Sequence, residues 1–455
     1  MLEGWGLMAA FLIAIALLLI LIIKFHLNAF IALLTTTIAT GLMVRMPIKD
    51  ITSSITNGFG STLGSIGVII GLGVMLGRFL FESGGTDVMA DTFLRKFGSK
   101  RSRLAVSISG FLTGIPVFGD IVHIMYAPMV RLISYKTSVP IISLVTAMTV
   151  STVCTGALVI PTPNPMAVAE QLQLDVGVFF LYALITGFVG SLVGGVLYGG
   201  WIDKHDKKIK FVYDFKDLEE DEKMLETAKN SNRISFGKAI SILLLPILLI
   251  LLGSFGSLLI KDGIALTIIS FIGNKNIAML IGVIYAALIS KPYLKKSVET
   301  VMSDSAAQVG LVLLITGSGG TFGKILQTTG IADYLSQTLL GFHVPVLVLC
   351  FIISQVLRCA QGSTGVALIT TSSMLSSTIA ASGISPVLCG IAICAGGIGL
   401  SLPNDSGFWA INRFYKISVP DTIRSWSIGG FIAGVTCLIF VCILSIFQGV
   451  LPGLL

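Results

Sequence analysis

Four short constellations in this chain carry residue types able to do chemistry, and each interrupts an apolar run. The first is Pro116-Val117-Phe118-Gly119-Asp120. Proline and glycine break a helix there and free backbone groups that a polar solute could use. The second is Pro161-Thr162-Pro163-Asn164-Pro165, whose alternating prolines stop any continuous helix. A half-helix starting after Pro165 would point its positive end at an anion. The third is Arg358 with Gln361, Gly362, Ser363 and Thr364. A guanidinium grips a carboxylate in two-pronged fashion, and the amide and hydroxyls beside it suit a solute's hydroxyl groups. The fourth is Asn404-Asp405-Ser406.

Ionisable groups in apolar runs are costly and commonly functional. Burial disfavours a charged carboxylate, which makes Asp120 and Asp405 proton-carrier candidates. The expected solute contacts are Pro116, Phe118, Thr162, Asn164, Arg358, Gln361, Ser363, Thr364, Asn404 and Ser406. Plainer readings stand beside these. Asp120 could cap a helix near a hairpin tip, and residues 161–165 could be a surface loop. Arg358 could form a structural salt bridge to Asp405 or Asp120, and Asp405 could be structural. Arg78 and Glu82, four apart, more readily pair with each other than with solute. Lys324 is a weaker candidate for anion attraction.

No catalytic residue, metal site or cofactor is expected. Seven cysteines form no CxxC pair, and four histidines are scattered at 26, 123, 205 and 343.

The elements that position these residues are membrane helices. Of 455 residues, 54% are hydrophobic and 12% charged, with a mean hydropathy of +0.94. A soluble domain carries about 25% charged residues. About eleven or twelve apolar segments lie between Trp5 and Phe447, against the roughly 20 residues that span a bilayer core, and several are too long or too broken for one clean span. The fold class read from this is an all-α polytopic membrane protein with the lipid bilayer as its surroundings. Runs 104–133 and 345–381 have polar, glycine- or proline-containing centres and read as re-entrant hairpins. Run 264–290 reads as one helix with a lead-in or as two pieces. The net charge of +7 does not imply nucleic acid, because the basic residues gather in loops beside apolar runs. One hydrophilic stretch, 203–238, holds nine basic and nine acidic residues. Basic residues mark the cytoplasmic side, so this loop, the cluster at 95–103 and the cluster at 291–296 are all placed there.

The loop separates two similar halves. Residues 64–98 and 307–341 are both glycine-studded apolar runs followed by a break and an amphipathic stretch. A polar-centred hairpin and a proline- and asparagine-broken helix follow in each half. The basic cluster follows the first run but precedes the second, so the copies would cross in opposite directions. Inverted-topology repeats of this kind carry a solute site at their interface in many secondary transporters. The expected division is N-terminal helices 1–57, first repeat 58–202, loop 203–238, linking helices 239–300 and second repeat 301–455.

At these residues the chain resembles the gluconate permease family, gluconate–proton symporters of bacterial inner membranes. The resemblance spans nearly the whole chain. Its motifs are GFGSTLGSIGVIIGLG (58–73), ESGG (82–85), GIPVFGD (114–120), RCAQGSTGVA (358–367) and NDSGFW (404–409). The family implies proton-coupled transport of gluconate or related sugar and hydroxy acids, with some members taking D-serine. The small-molecule partners implied are an organic anion and a proton. The family also implies kinship with ion-coupled carriers that use paired hairpins, among which dimers are common, so a homodimer is one expectation. Pro403 before NDSGFW departs from the family pattern and leaves the member's own substrate open. The rival readings are a sodium-coupled carboxylate carrier, a channel and an intramembrane aspartyl protease. The protease lacks its usual signature, since the only Tyr-Asp pair, Tyr213-Asp214, lies in the hydrophilic loop.

Overall fold

The computed structural model describes residues 4–25, 27–89, 92, 101–115, 119–205, 218–219, 221–222, 232–259, 262–331, 334, 345–402 and 405–454. Among them every regular element is a helix. The first half runs α1 (Trp5–Ile23), α2 (Ala29–Met43), α3 (Ile48–Glu82), α4 (Ser102–Gly114), α5 (Gly119–Thr137), α6 (Ile141–Leu158), α7 (Pro163–Gln171) and α8 (Val176–Gly190). A π-helical stretch, Ser191–Leu197, joins α8 to α9 (Tyr198–His205). The second half runs α10 (Phe236–Leu259), α11 (Ile264–Gly273), α12 (Lys275–Ser290), α13 (Val298–Thr328), α14 (Val346–Gln361), α15 (Thr364–Ala381), α16 (Pro386–Ile398), α17 (Ser406–Phe414) and α18 (Val419–Thr422). A second π-helical stretch, Ile423–Ile428, leads into α19 (Gly429–Ile446). Run 264–290 is thus two pieces.

The series of elements occurs twice. In each half a long helix (α3 or α13) precedes two helices joined at a short break (α4–α5 or α14–α15). A broken helix (α6–α7 or α16–α17) and a π-interrupted helix follow. The 13 residues of α4 and 16 of α14 reach only about 20–24 Å. That falls short of the roughly 30 Å bilayer core, as a hairpin arm would. The first arm of each pair packs on the broken helix of its own half, α4 on α6 and α14 on α16. The second arm packs on the broken helix of the other half, α5 on α17 and α15 on α7. The two halves therefore interlock at the breaks.

Sequence explains the layering. In α6 every residue but Gly156 is buried, and in α16 every residue but Pro386. The many hydroxyls of α6 stay satisfied by bonding back one turn: Thr146 to Ile142 O, Ser151 to Ala147 O, and Thr155 to Ser151 O at 2.7–2.9 Å. Peripheral helices instead expose large aliphatics, among them Leu12, Ile38, Leu248, Ile284 and Ile443. A water-soluble surface would hide such a belt; here it faces acyl chains. Trp5 and Trp201 stand exposed near helix ends, where interfacial tryptophans gather. Among the described residues five helical stretches are long and apolar enough to cross a bilayer, six if bent α3 is counted. The protein is a multi-pass membrane protein.

The long helices α3 and α13 cross antiparallel. Gly58 meets Gly320 and Thr321, Gly67 meets Leu313, and the charge of Arg78 is felt at Asp304. α3 bends by 43° between Gly64 and Gly67. Its far end meets the described part of the loop, where Ile234 N–H bonds Ser83 O at 3.1 Å. The start of α13 lies at that same end. Asn232 bonds Pro292 O at 3.1 Å and Lys238 reaches Tyr293 at 3.2 Å. Arg103 pairs with Asp203 at 2.7 Å. The described parts of the two basic clusters are thus tied to the loop. The divisions expected at 57/58 and 300/301 fall inside α3 and α13. Glycines do not interrupt a membrane helix that neighbours support, so α3 begins ten residues before Gly58, just after Pro47.

Candidate functional site

The α14–α15 pair turns at Gly362, which takes a left-handed φ of 71° and returns its N–H to Arg358 O at 2.9 Å. Glycine adopts this conformation without a Cβ penalty. Ser363 then caps α15, its hydroxyl accepting from Val366 N–H at 3.4 Å. Arg358 therefore sits in the last turn of α14, at the hairpin tip, and is 2% exposed. Its Nη2 donates to Asp405 Oδ2 at 2.7 Å. Its Nε and Nη1 are buried without a partner among the described residues.

Asp405 lies in the break between α16 and α17. Its Oδ1 accepts Gly407 N–H at 2.9 Å, the N-cap of α17. Its Oδ2 also accepts from Ser401 Oγ at 2.5 Å and from Trp426 Nε1 at 3.3 Å. Trp426 belongs to the second π-helical stretch. Such bulges re-aim side chains and are frequent at functional sites.

The first-half break meets the same tip from its other side. A Cβ on Gly365 would stand 2.7 Å from Asn164 Oδ1, so the starts of α7 and α15 touch. α7 begins at Pro163, three residues before the expected start, because proline suits a first helical turn. Prolines at 163 and 165 lack N–H groups, so the positive end of α7 presents fewer donors than an ordinary one. Thr162 turns inward, donating to Val159 O at 2.6 Å, and Asn164 Nδ2 reaches Gly156 O at 3.4 Å. Thr364 donates to Gly397 O at 3.3 Å.

Thr162, Asn164, Arg358, Ser363, Thr364 and Asp405 are thus gathered around one hairpin tip. Asp120 is the second residue of α5, Gln361 the last of α14 and Ser406 the first of α17. Pro116, Phe118 and Asn404, and the side chains of Asp120, Gln361 and Ser406, lie outside the described residues. Ser401 and Trp426 were missed by sequence reasoning. Ser401 stands four residues before Asp405, a spacing that could have marked it. Near the first hairpin's second arm, His123 Nδ1 and Tyr415 OH lie 3.1 Å apart. Arg131 there donates to Phe414 O and pairs through two bonds with Asp221 of the loop, at 2.7 and 2.5 Å. No group of three or more potential metal ligands occurs among the described residues.

The Asn164–Gly365 contact makes a testable statement. Gly365→Ala is expected to cost about 1–3 kcal/mol by overpacking, seen as a lower melting temperature in detergent. In an Asn164→Ala background the cost should vanish. An equal cost in both backgrounds would show that the contact is not its cause.

Residues 7–447 match the family described as GntP family permease. The chain belongs to that family. Among GntP relatives, it is 31% identical to the high-affinity gluconate transporter of Escherichia coli, covering 91% of this chain and 94% of that one. It is 32% identical to the gluconate permease of Bacillus subtilis, covering 94% and 97%. It is 29% identical to the gluconate permease of Pseudomonas aeruginosa, covering 94% and 95%. Its fold is similar to that of the YdaH transporter of Alcanivorax borkumensis, with a TM-score of 0.63 at 15% identity over 88% of this chain and 89% of that one. It is also similar to MtrF of Neisseria gonorrhoeae, described with a class of antimetabolite efflux pumps, with a TM-score of 0.66 at 15% identity over 88% and 84%. The GntP permease is a membrane transporter and not an enzyme, and its place is the inner membrane.

Proposed function

We propose that this GntP permease imports gluconate or a closely related sugar acid by proton symport, with alternating access between two inverted halves. The observation that carries the reading is the half-engaged arginine. Arg358 holds Asp405 through Nη2, while Nε and Nη1 are buried without acceptors among the described residues. A buried unpaired donor costs about 1–3 kcal/mol, and a substrate carboxylate would relieve that cost. Both two-pronged edges of a guanidinium include Nη2. Nη2 carries one hydrogen on each of these edges, and in the proposed cycle the substrate carboxylate takes the edge that Asp405 now holds and displaces it.

Proton coupling follows from this competition. A buried carboxylate that loses its cation favours its protonated form. One substrate anion displacing Asp405, and one proton taken up by Asp405, leave the net charge of the site unchanged. Asp120 is the matching candidate at the first hairpin. Asn164, Ser363 and Thr364 would bind the substrate's hydroxyls, with Thr162 shaping the break. The gluconate-transporting relatives support the substrate, and the antiparallel α3–α13 crossing with its doubled series of elements supports alternating access. The basic loop end is taken as cytoplasmic.

Labelled gluconate uptake into proteoliposomes, with proton and sodium gradients imposed separately, tests this. Accumulation is expected with an alkaline interior and no sodium. Uptake driven by sodium alone would overturn the proton assignment.

A further inference from the structure

A polar pocket of about 180 Å³ opens between the α3–α13 crossing and the α7–α15 pair. It far exceeds the ~10–15 Å³ that admits one water. Ser61 and Thr62 of α3, Gln171 at the end of α7, Lys324 and Gln327 of α13, and Ser373 of α15 line it. Among the described residues no acidic one does. Lys324 is exposed and joins no ion pair among the described residues. Gln171 Oε1 accepts from Ser372 and Ser373 hydroxyls at 2.5 and 2.7 Å. That ties the end of α7 to α15. The described walls thus offer a cation, side-chain amides and hydroxyls, and no negative group. Their complement is an oxygen-rich anion.

The pocket's place in the fold matters as much as its chemistry. Lys324 lies 26 residues along α13 from Val298, about 40 Å at 1.5 Å per residue. That exceeds the roughly 30 Å bilayer core, so the pocket is at the end opposite the basic loop. α7 and α15 touch at Asn164–Gly365 and again at Gln171–Ser372, seven residues on, so the pocket stands about 10 Å along them from the Arg358 tip. The two ends of the crossing also differ in charge. Arg78 and Lys324 each stand six residues before a left-handed glycine, Gly84 with φ 71° and Gly330 with φ 73°. Arg78 is neutralised by Glu82 at 2.8 Å, whereas the matching position near Lys324 is Thr328.

We infer that this pocket is an outward-facing capture site for hydroxy-carboxylates, occupied before substrate reaches Arg358. The order of events rests on the proposed function, whereas the pocket's preference for anions rests on its own residues. Lys324 supplies the charge, and Gln171, Gln327 and the α3 hydroxyls bind the ligand's oxygens.

The test uses full-length Ser61→Cys protein in right-side-out vesicles and a membrane-impermeant maleimide. Ser61 is exposed, and the native cysteines are buried or half-buried, so unsubstituted protein gives the background. Gluconate is expected to slow labelling. Sorbitol, which lacks the carboxylate, is not. Adding Lys324→Gln should raise the half-protecting gluconate concentration about tenfold or more. Protection should persist in Arg358→Gln/Asp405→Asn, because an indirect effect of the inner site would disappear there. If gluconate is transported yet never protects the thiol at position 61, or protects it only with Arg358 intact, the capture site is refuted. Labelling that needs permeabilised membranes refutes it too. If gluconate is neither carried nor protective, but lactate protects in a Lys324-dependent way, the capture site stands and the gluconate reading falls.

Discussion

Arg358→Gln is expected to cut carboxylate uptake about a hundredfold or more and to lower stability by roughly 3–5 kcal/mol. The second effect comes from Asp405, which would keep a buried charge without its guanidinium. The double variant Arg358→Gln/Asp405→Asn separates fold from function. It removes both charges, so the melting temperature should recover most of its loss while uptake stays abolished. Recovery of uptake in the double variant would reduce the pair to a structural tie and end the clamp reading. Asp405→Asn alone makes a different pattern. An asparagine can still accept Gly407 N–H and cap α17, and Arg358 remains free for substrate. Exchange of labelled for unlabelled substrate should persist, whereas accumulation against a gradient driven by protons should be lost. Undiminished proton-driven accumulation would place the proton elsewhere, with Asp120 next to be tested.

How far these residues could be read from sequence depended on range. Helix breaks are local, because proline removes a donor and glycine admits φ > 0. The breaks beside Gly362 and after Val159 were therefore legible. So was Arg358, since a guanidinium deep in an apolar run has few innocent explanations. Its partner was left between Asp120 and Asp405, because that choice depends on a contact 47 residues apart. The touch of Asn164 on Gly365 joins opposite halves and has no local signature. Trp426 reads as an ordinary apolar span residue, and only the π-helical stretch aims its indole at Asp405. Nothing local marks Gln171, and its contacts appear only when α15 brings Ser372 and Ser373 against it. The similarity of the two halves was visible as a pattern of glycines and charges. That α3 and α13 make one crossing, with polar space beside it, follows from packing.

That crossing carries the second large effect. Gly58→Ala is expected to destabilise the protein by about 1–3 kcal/mol or more, and Gly58→Val to prevent recovery of folded transporter. A Cβ at 58 would stand 2.7 Å from Gly320 O and 2.9 Å from Thr321 Cα. Both are backbone atoms, so no rotamer change can relieve the clash and the helices must part. Gly320→Ala should behave alike, since its Cβ would strike Thr62 Oγ1 and approach Gly58 O at 2.7 Å. Close approach through small residues is how membrane helices gain packing where lipid offers no hydrophobic drive. The same helix provides the control. A methyl group added at Gly60 or Gly71 would meet nothing within 4 Å, so alanine there should be neutral or gain up to about 1 kcal/mol from helix propensity. The two costly changes should not add, because they open one shared contact: Gly58→Ala/Gly320→Ala should lose less than the sum of its parts. Melting curves in detergent for these alanine variants measure this directly. If Gly58→Ala melts with Gly60→Ala, the α3–α13 crossing is not closely packed at Gly58, and the outer pocket loses the floor that holds Ser61 opposite Lys324.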